Sequence, residues 1–442
     1  MFHLKMKGVT MIRPKSKITL MLSIVSFLLL ASAKVSSTNP LPPRAGSWVT
    51  KAPMPTARAE TASGVVNGLL YVVGGEDGIG SLNVLEVYDP ATNSWTTKAS
   101  MPTARQTAAS VAINGHLYVA GGATLTGQLY NTLEVYDPTT NTWTSKAPMT
   151  TAETAPAFAS INGKFYVVGG ISSFVNNPRN GVLQVYDPVT DTWATKASMP
   201  TARAGAVAAE IDGKLYVVGG TLNGAGTTNV LEVYDPATDT WTSKAPMPTP
   251  RWLFTGAGVN GLLYAIGGDP GNSSPQTVVN EVYDPVTDTW TTDAPMPTGR
   301  YGMATGVIDG TIYVIGGATG FGNGVPQSVS EAFSPSDTAP PVISGVSASP
   351  SVLWPPNHKM KDVMINYNTT DDSGSVNCTL NVTSNEGTPA DWQILDAHQV
   401  RLRAERVGSG NGRIYTITIT CTDSSNNSSS QAVTVIVPHD QR

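Results

Sequence analysis

Six copies of a short joint, Met-Pro-Thr-x-Arg or a close variant, carry the residues of this chain best suited to holding a ligand. The residue after the Arg position is Ala59, Gln106, Thr154, Ala204, Trp252 and Tyr301 in turn, and the next is Glu60, Thr107, Ala155, Gly205, Leu253 and Gly302. The fifth and sixth copies therefore supply one aromatic ring each. If the sixth unit is followed in space by the first, Trp252, Arg300, Tyr301 and Glu60 form one patch, with Arg179 and Phe321 available from loops. Flat aromatic faces beside a carboxylate and a guanidinium suit a polyhydroxylated ligand such as a sugar, through stacking and charge-assisted hydrogen bonds. The competing role for the same side chains is structural, with the arginines bracing the joints and the aromatics capping an axis.

Reaction chemistry has less support. Between residues 48 and 335 there is no Cys and a single His, His116, which follows the turn pair Asn114-Gly115. His358, His398 and His439 lie nearer the C-terminus without metal-ligand spacing, and Asp371-Asp372 reads as a polar turn or a weak Ca²⁺ ligand pair. No catalytic residue, metal or cofactor is assigned.

The elements that position these residues follow from a repeat. Glycine pairs recur at 74–75, 121–122, 169–170, 219–220, 267–268 and 316–317, at intervals of 47 to 50 residues. Each pair ends an apolar strand such as Leu69-Leu70-Tyr71-Val72-Val73, entered through Asn-Gly or Asp-Gly, dipeptides that accept positive φ and make two-residue hairpins. A third strand runs into an Asp-Pro turn, and a Trp opens the fourth. The strand after each joint is rich in Ala, Gly, Ser and Thr, as expected where strands crowd around a common axis. Each unit is thus a four-stranded sheet, and radial stacking of such sheets makes a propeller.

The Gly-Gly pairs, the Tyr-Asp-Pro turns, the Trp six residues after that Asp and the Met-Pro-Thr-x-Arg joints resemble the kelch-repeat family over residues 48–335. The resemblance implies an all-β, six-bladed propeller and leaves function open. The sixth copy lacks a Trp strand after Glu331-Ala332-Phe333-Ser334-Pro335, while Ser47-Trp48-Val49-Thr50-Lys51 lacks the three strands that should precede it. The N-terminal strand is expected to complete the sixth blade, which would remove two sheet edges. Galactose oxidase, a kelch-like relative, needs copper held by Tyr, Cys-modified Tyr and His; the missing Cys and the single His speak against that chemistry here. Sialic-acid mutarotases, another such relative, need no metal, and Glu60, Glu153, Arg179 and Arg300 are the groups an enzyme of that kind would have to use.

Residues 1–33 read as a signal peptide: Lys5, Lys7, Arg13, Lys15 and Lys17, an apolar run from Ile18 to Ala31, then Ala31-Ser32-Ala33. The run is shorter than the roughly 20 residues of a spanning helix. Cleavage would change the net charge from −5 to −10, against nucleic acid or anionic membrane as partner. After a linker at 34–47 and the propeller at 48–335, residues 336–341 form a second linker. The remainder, 342–438, resembles the immunoglobulin-like modules of secreted bacterial proteins, in phrases such as LWPPNHKM and VTVIVPHDQ. Cys378 and Cys421 are its only cysteines and are expected to form a disulfide in an oxidising compartment. The expectation as a whole is a secreted or cell-surface module binding a glycan or protein through the variable loops after the glycine pairs.

Overall fold

A computed structural model describes residues 46–439, except 225, 272–274, 321–323, 338–339, 372–375, 408–411, 424 and 426. The segment read as a signal peptide lies outside the described residues.

Each repeat forms a four-stranded antiparallel sheet in simple meander order. Blade one runs Ala62–Val66, Leu69–Val73, Leu85–Asp89 and Ser94–Lys98 from the axis outward. The hairpin turns are built as their chemistry requires. Asn67 and Gly68 both have positive φ, and the same holds at the five equivalent pairs through Asp309-Gly310. The Asp-Pro turns use the left-handed site at Asn93, Asn141, Asp191, Asp239 and Asp288. These two families of turns share one side of the disc, because successive strands reverse direction.

Blade six is completed across the chain. Ser47–Lys51 pairs with Ser330–Ser334, placing Trp48 opposite Phe333. In the other blades a Tyr faces the Trp in that register, as Tyr88 faces Trp95. Every one of these Trp side chains donates its Nε1–H to an Ala carbonyl of the preceding blade, and Trp48 does so to Ala294, at 2.9 Å. The strand begins at Ser47, one residue before Trp48, and Gly46 is already bonded into the ring.

The apolar core sits between blades. Leu70, Val72 and Tyr88 of blade one pack on Ala304, Ile308, Tyr313, Ile315 and Ala332 of blade six, closing the circle. Small residues line the axis for a reason that differs from the one expected. A Cβ added to Gly64 would come within 2.7 Å of Leu117 in blade two, and one added to Gly306 within 2.6 Å of Leu70 in blade one. The crowding is therefore between neighbouring blades, not across the axis, and the axis stays open. The outermost strands end in Lys at five of six positions and are rich in Thr, which discourages edge-to-edge pairing.

Residues 342–438 form two antiparallel sheets around a separate core that includes Val363, Ile365, Val400, Tyr415, Ile417 and Val435. One sheet holds, in spatial order, Val342–Ser349, Met360–Thr370, Gln399–Arg403 and Trp392–Ile394; the other holds Val376–Ser384, Gly412–Asp423 and Ser428–Pro438. Cys378 and Cys421 face each other across two adjacent strands and are bridged.

Candidate functional site

The six joints converge on the loop face around a closed ring of main-chain hydrogen bonds. Glu60 N–H donates to Gly302 O, Thr107 to Glu60, Ala155 to Thr107, Gly205 to Ala155, Leu253 to Gly205 and Gly302 to Leu253, at 2.6 to 3.0 Å. All six residues are left-handed, with φ from 47° to 64°. Four of them are not glycine, and backbone strain of this kind persists only where the surroundings dictate it. The surroundings here are the glycine pairs: Gly75 N–H binds Arg105 O of the next blade, and the pattern runs round to Gly317 N–H on Arg58 O. A Cβ on Gly74 would lie 2.6 Å from Arg105 O, so side chains are excluded at that approach.

Inside the ring runs a channel of about 410 Å³, lined by Glu60, Glu210, hydroxyl side chains such as Ser63 and Ser110, and apolar residues from alanine to Phe158 and Phe254. One residue outward, each joint forms a bridge with the residue that follows its glycine pair. These bridges are Ala59–Glu76, Gln106–Ala123, Thr154–Ile171, Ala204–Thr221, Trp252–Asp269 and Tyr301–Ala318. The rim is therefore asymmetric. Blades five, six and one present Asp269, Trp252, Tyr301, Glu76 and Glu60, whereas blades two to four present uncharged residues at these positions: Gln106, Ala123, Thr154, Ile171, Ala204 and Thr221.

Electrostatics reinforce that asymmetry. Burial, with Glu76 as the lesser cause, pushes the Glu60 carboxyl up to about 7. Glu76 is itself raised by burial, against a lowering hydrogen bond from Gly78 N–H. Tyr301 is raised first by burial and then by Glu60, Glu76 and Asp269, while Gly324 N–H donates to its hydroxyl.

The long loops are laced to one another. Gln276 exchanges two 2.8 Å hydrogen bonds with the Gly320 backbone, Asn223 exchanges two with the Arg179 backbone, Leu125 N–H binds Ser81 Oγ, and Thr227 Oγ1 donates to Pro270 O. A rim tied in this way is preorganised.

The residues singled out in the sequence separate into groups. Tyr301 and Glu60 are neighbours at the rim, and Trp252 stands on the adjacent blade, bridged to Asp269. Arg300 does not join them: it is fully buried, its guanidinium 2.5 Å from Glu331 and donating to Gly316 O and Val329 O. Its ligand-facing assignment is corrected to a brace, the role also filled by Arg58, Arg105, Arg203 and Arg251 with Glu86, Glu134, Glu232 and Glu281. Arg179 belongs to blade three, across the ring, where it donates to Asn177 O at 2.8 Å and reaches Thr221 Oγ1. Phe321 lies outside the described residues.

The sequence reading missed Glu76 and Asp269. Aligning the repeats on the glycine pairs as well as on the arginines would have brought both to light, since each is the first residue after its pair.

Glu153, at the Arg position of blade three, is buried; burial raises it to about 7, against a lowering hydrogen bond from Asn180 Nδ2. His116 sits on the tight-turn side, its Nδ1 2.9 Å from Asn114 O. In the C-terminal sandwich His358 pairs with Glu405 at 3.3 Å, His398 stacks on Tyr367 at 4.3 Å, and the His439 carbonyl accepts from Arg406. Asp371 shares a cluster with Asp337 and Asp423, their carboxylate oxygens within 4.8 Å; Asp372 lies outside the described residues.

The geometry matches known propellers. The solved structure of YjhT superposes with a TM-score of 0.56 at 19% identity, covering 63% of this chain and 95% of that one, which is a likeness of fold. No curated protein matches the chain. No helix among the described residues is long and apolar enough to cross a membrane. The family model described as the Attractin/LZTR1 beta-propeller matches residues 70–324, more than half of the sequence, and with its kelch-type repeats this chain belongs to that family.

Proposed function

We propose that the protein is a secreted binding or adhesion module that recognises a glycan or protein at the loop-face mouth of its propeller. The observation that carries this reading is the pairing of two aromatic side chains, Trp252 and Tyr301, with Glu60 on one side of a rigid ring above an open channel. Half-buried aromatic rings held at the mouth of a channel are effective platforms for sugar rings and apolar side chains. The C-terminal sandwich serves as an appendage; lettered A to G in chain order, its sheets are ABED and CFG, which supports kinship with immunoglobulin constant-type domains. The disulfide between Cys378 and Cys421 is compatible with export.

A glycan array probed with the wild-type chain, Trp252→Ala and Tyr301→Ala tests the reading. Both variants should lose the wild-type hits while keeping the wild-type melting temperature, because both side chains are only partly buried. Unchanged binding by both variants would remove the mouth as the site.

A second reading, a metal-independent enzyme acting on sugars, draws on Glu60: a carboxyl with a pKa near 7 is poised for general acid–base work. Product formed from any array hit, abolished in Glu60→Gln, would favour the enzyme; binding without turnover favours the module.

A further inference from the structure

Resting on the reading of the mouth as a glycan site, we infer that the ligand it takes carries a free ammonium group, as a 2-amino-2-deoxy sugar does. Three carboxylates, Glu60, Glu76 and Asp269, come from blades one and five and flank Trp252 and Tyr301 through the bridges Ala59–Glu76, Trp252–Asp269 and Tyr301–Ala318 and the ring bond from Glu60 to Gly302.

Among the described residues the nearby cations are already committed. The five joint arginines are buried and each is paired with its own glutamate, so these charges cancel inside the blades. Arg179 has only neutral partners, Asn177 O and Thr221 Oγ1, and keeps its charge, but these bonds hold it in blade three, across the ring from the carboxylates. The rim thus keeps a negative surplus that a neutral sugar would leave in place and an ammonium would neutralise.

The aromatic rings add to the same preference, because a cation over a Trp or Tyr face is attracted by the ring quadrupole. Glu60 gives the argument its depth, since it lines the channel while belonging to the ring. An amino sugar with its ring on Trp252 or Tyr301 could direct its nitrogen toward this carboxylate. The raised pKa of Glu60 means that ionising it alone is unfavourable, and a bound cation relieves that cost.

Calorimetric titration of the full chain at pH 6.5 and low salt, where the sugar amines are substantially protonated, with a glucosamine tetramer and with its N-acetylated counterpart, tests the inference. The free amine should bind at least about tenfold tighter, and its affinity should fall as salt is added. Asp269→Asn and Glu76→Gln should each weaken the glucosamine tetramer several-fold and leave the N-acetylated one unchanged. Glu76 lies off the hydrogen-bonded ring, so its variant keeps the test valid if changes at Glu60 disturb folding.

Equal or tighter binding of the N-acetylated tetramer would overturn the ammonium inference while leaving a glycan site standing. Binding of neither tetramer, alongside array hits on other sugars sensitive to Trp252→Ala, would do the same. A lysine-rich peptide that binds where the amino sugar does not would also overturn it, in favour of a protein partner. No hits at all on the array would remove the glycan reading itself.

Discussion

Asp293 Oδ1 accepts the Gly46 N–H at 2.7 Å and so fastens the N-terminal edge of blade six to blade five. The same oxygen also accepts Ala294 N–H. Elsewhere the equivalent Ala N–H goes to an Asn or Asp in the Asp-Pro turn of the following blade, as Ala52 goes to Asn93 and Ala245 to Asp288. Blade six has no such turn, because its third and fourth strands come from opposite ends of the propeller sequence. Asp293 stands where the other outer strands have Lys and supplies the missing acceptor.

Phe333 follows from the same break. The equivalent tyrosines donate their hydroxyls to those turn residues, and here there is none. Restoring the repeat's own residues should therefore harm the fold. Asp293→Lys should cost about 1–2 kcal/mol, and Phe333→Tyr a similar amount for burying an unpaired hydroxyl. Urea denaturation measures both, and stabilisation by either consensus residue would refute this account of the seam.

Much of this was legible before the structure, for physical reasons. Turns advertise themselves: Asn-Gly and Asp-Pro are chosen for φ and for capping, so strand count, blade count and the orphan Trp48 could be read directly. Side-chain destinations were less readable. Arg300 and Tyr301 are neighbours in sequence, yet one is buried in an ion pair and the other stands at the rim, and only the left-handed ring residue beyond them sets that reversal. Glu76 and Asp269 escaped because register taken from the arginines alone stops at the joints; each directly follows a glycine pair, where the other blades carry Ala123, Ile171, Thr221 and Ala318, so no repeated residue type marks the position. In the C-terminal sandwich, Trp392–Ile394 is three residues long, too short to carry an alternation pattern.

The buried pairs make a sharper prediction. Arg203 forms an ion pair with Glu232 at 3.0 Å and donates to Val217 O at 2.9 Å, both side chains being buried. Arg203→Met should cost about 3–5 kcal/mol, because Glu232 is left charged and desolvated, while Arg203→Met with Glu232→Met should recover most of that loss. Blade three is the natural precedent: both partners differ together, Glu153 replacing Arg and Gln184 replacing Glu. Gln184 there accepts from Thr150 Oγ1 and Thr151 N–H and donates to Thr151 O. Failure of the second substitution to compensate, measured by chemical denaturation, would show that the arginine stabilises through packing and its carbonyl bonds instead.

Glu153 also gives the protein a pH dependence of definite sign. Its Oε1 is buried without a hydrogen-bond partner, Oε2 accepts from Asn180, and burial moves the carboxyl from 4.5 to about 7. Between those values the folded chain binds more protons than the unfolded chain, so stability declines as pH rises through the window and levels off above it. The full displacement is worth on the order of 3 kcal/mol. Glu60, raised to about 7 mainly by burial, tilts the curve the same way. Glu153→Gln keeps the shape and the bond to Asn180 but cannot ionise. Its unfolding free energy should match wild type at pH 4 and exceed it at pH 8, and the double variant Glu60→Gln, Glu153→Gln should flatten the curve further, leaving the smaller contribution of Glu76. Equal slopes for wild type and Glu153→Gln between pH 4 and 8 would mean that this carboxylate finds solvent or a cation in the folded state.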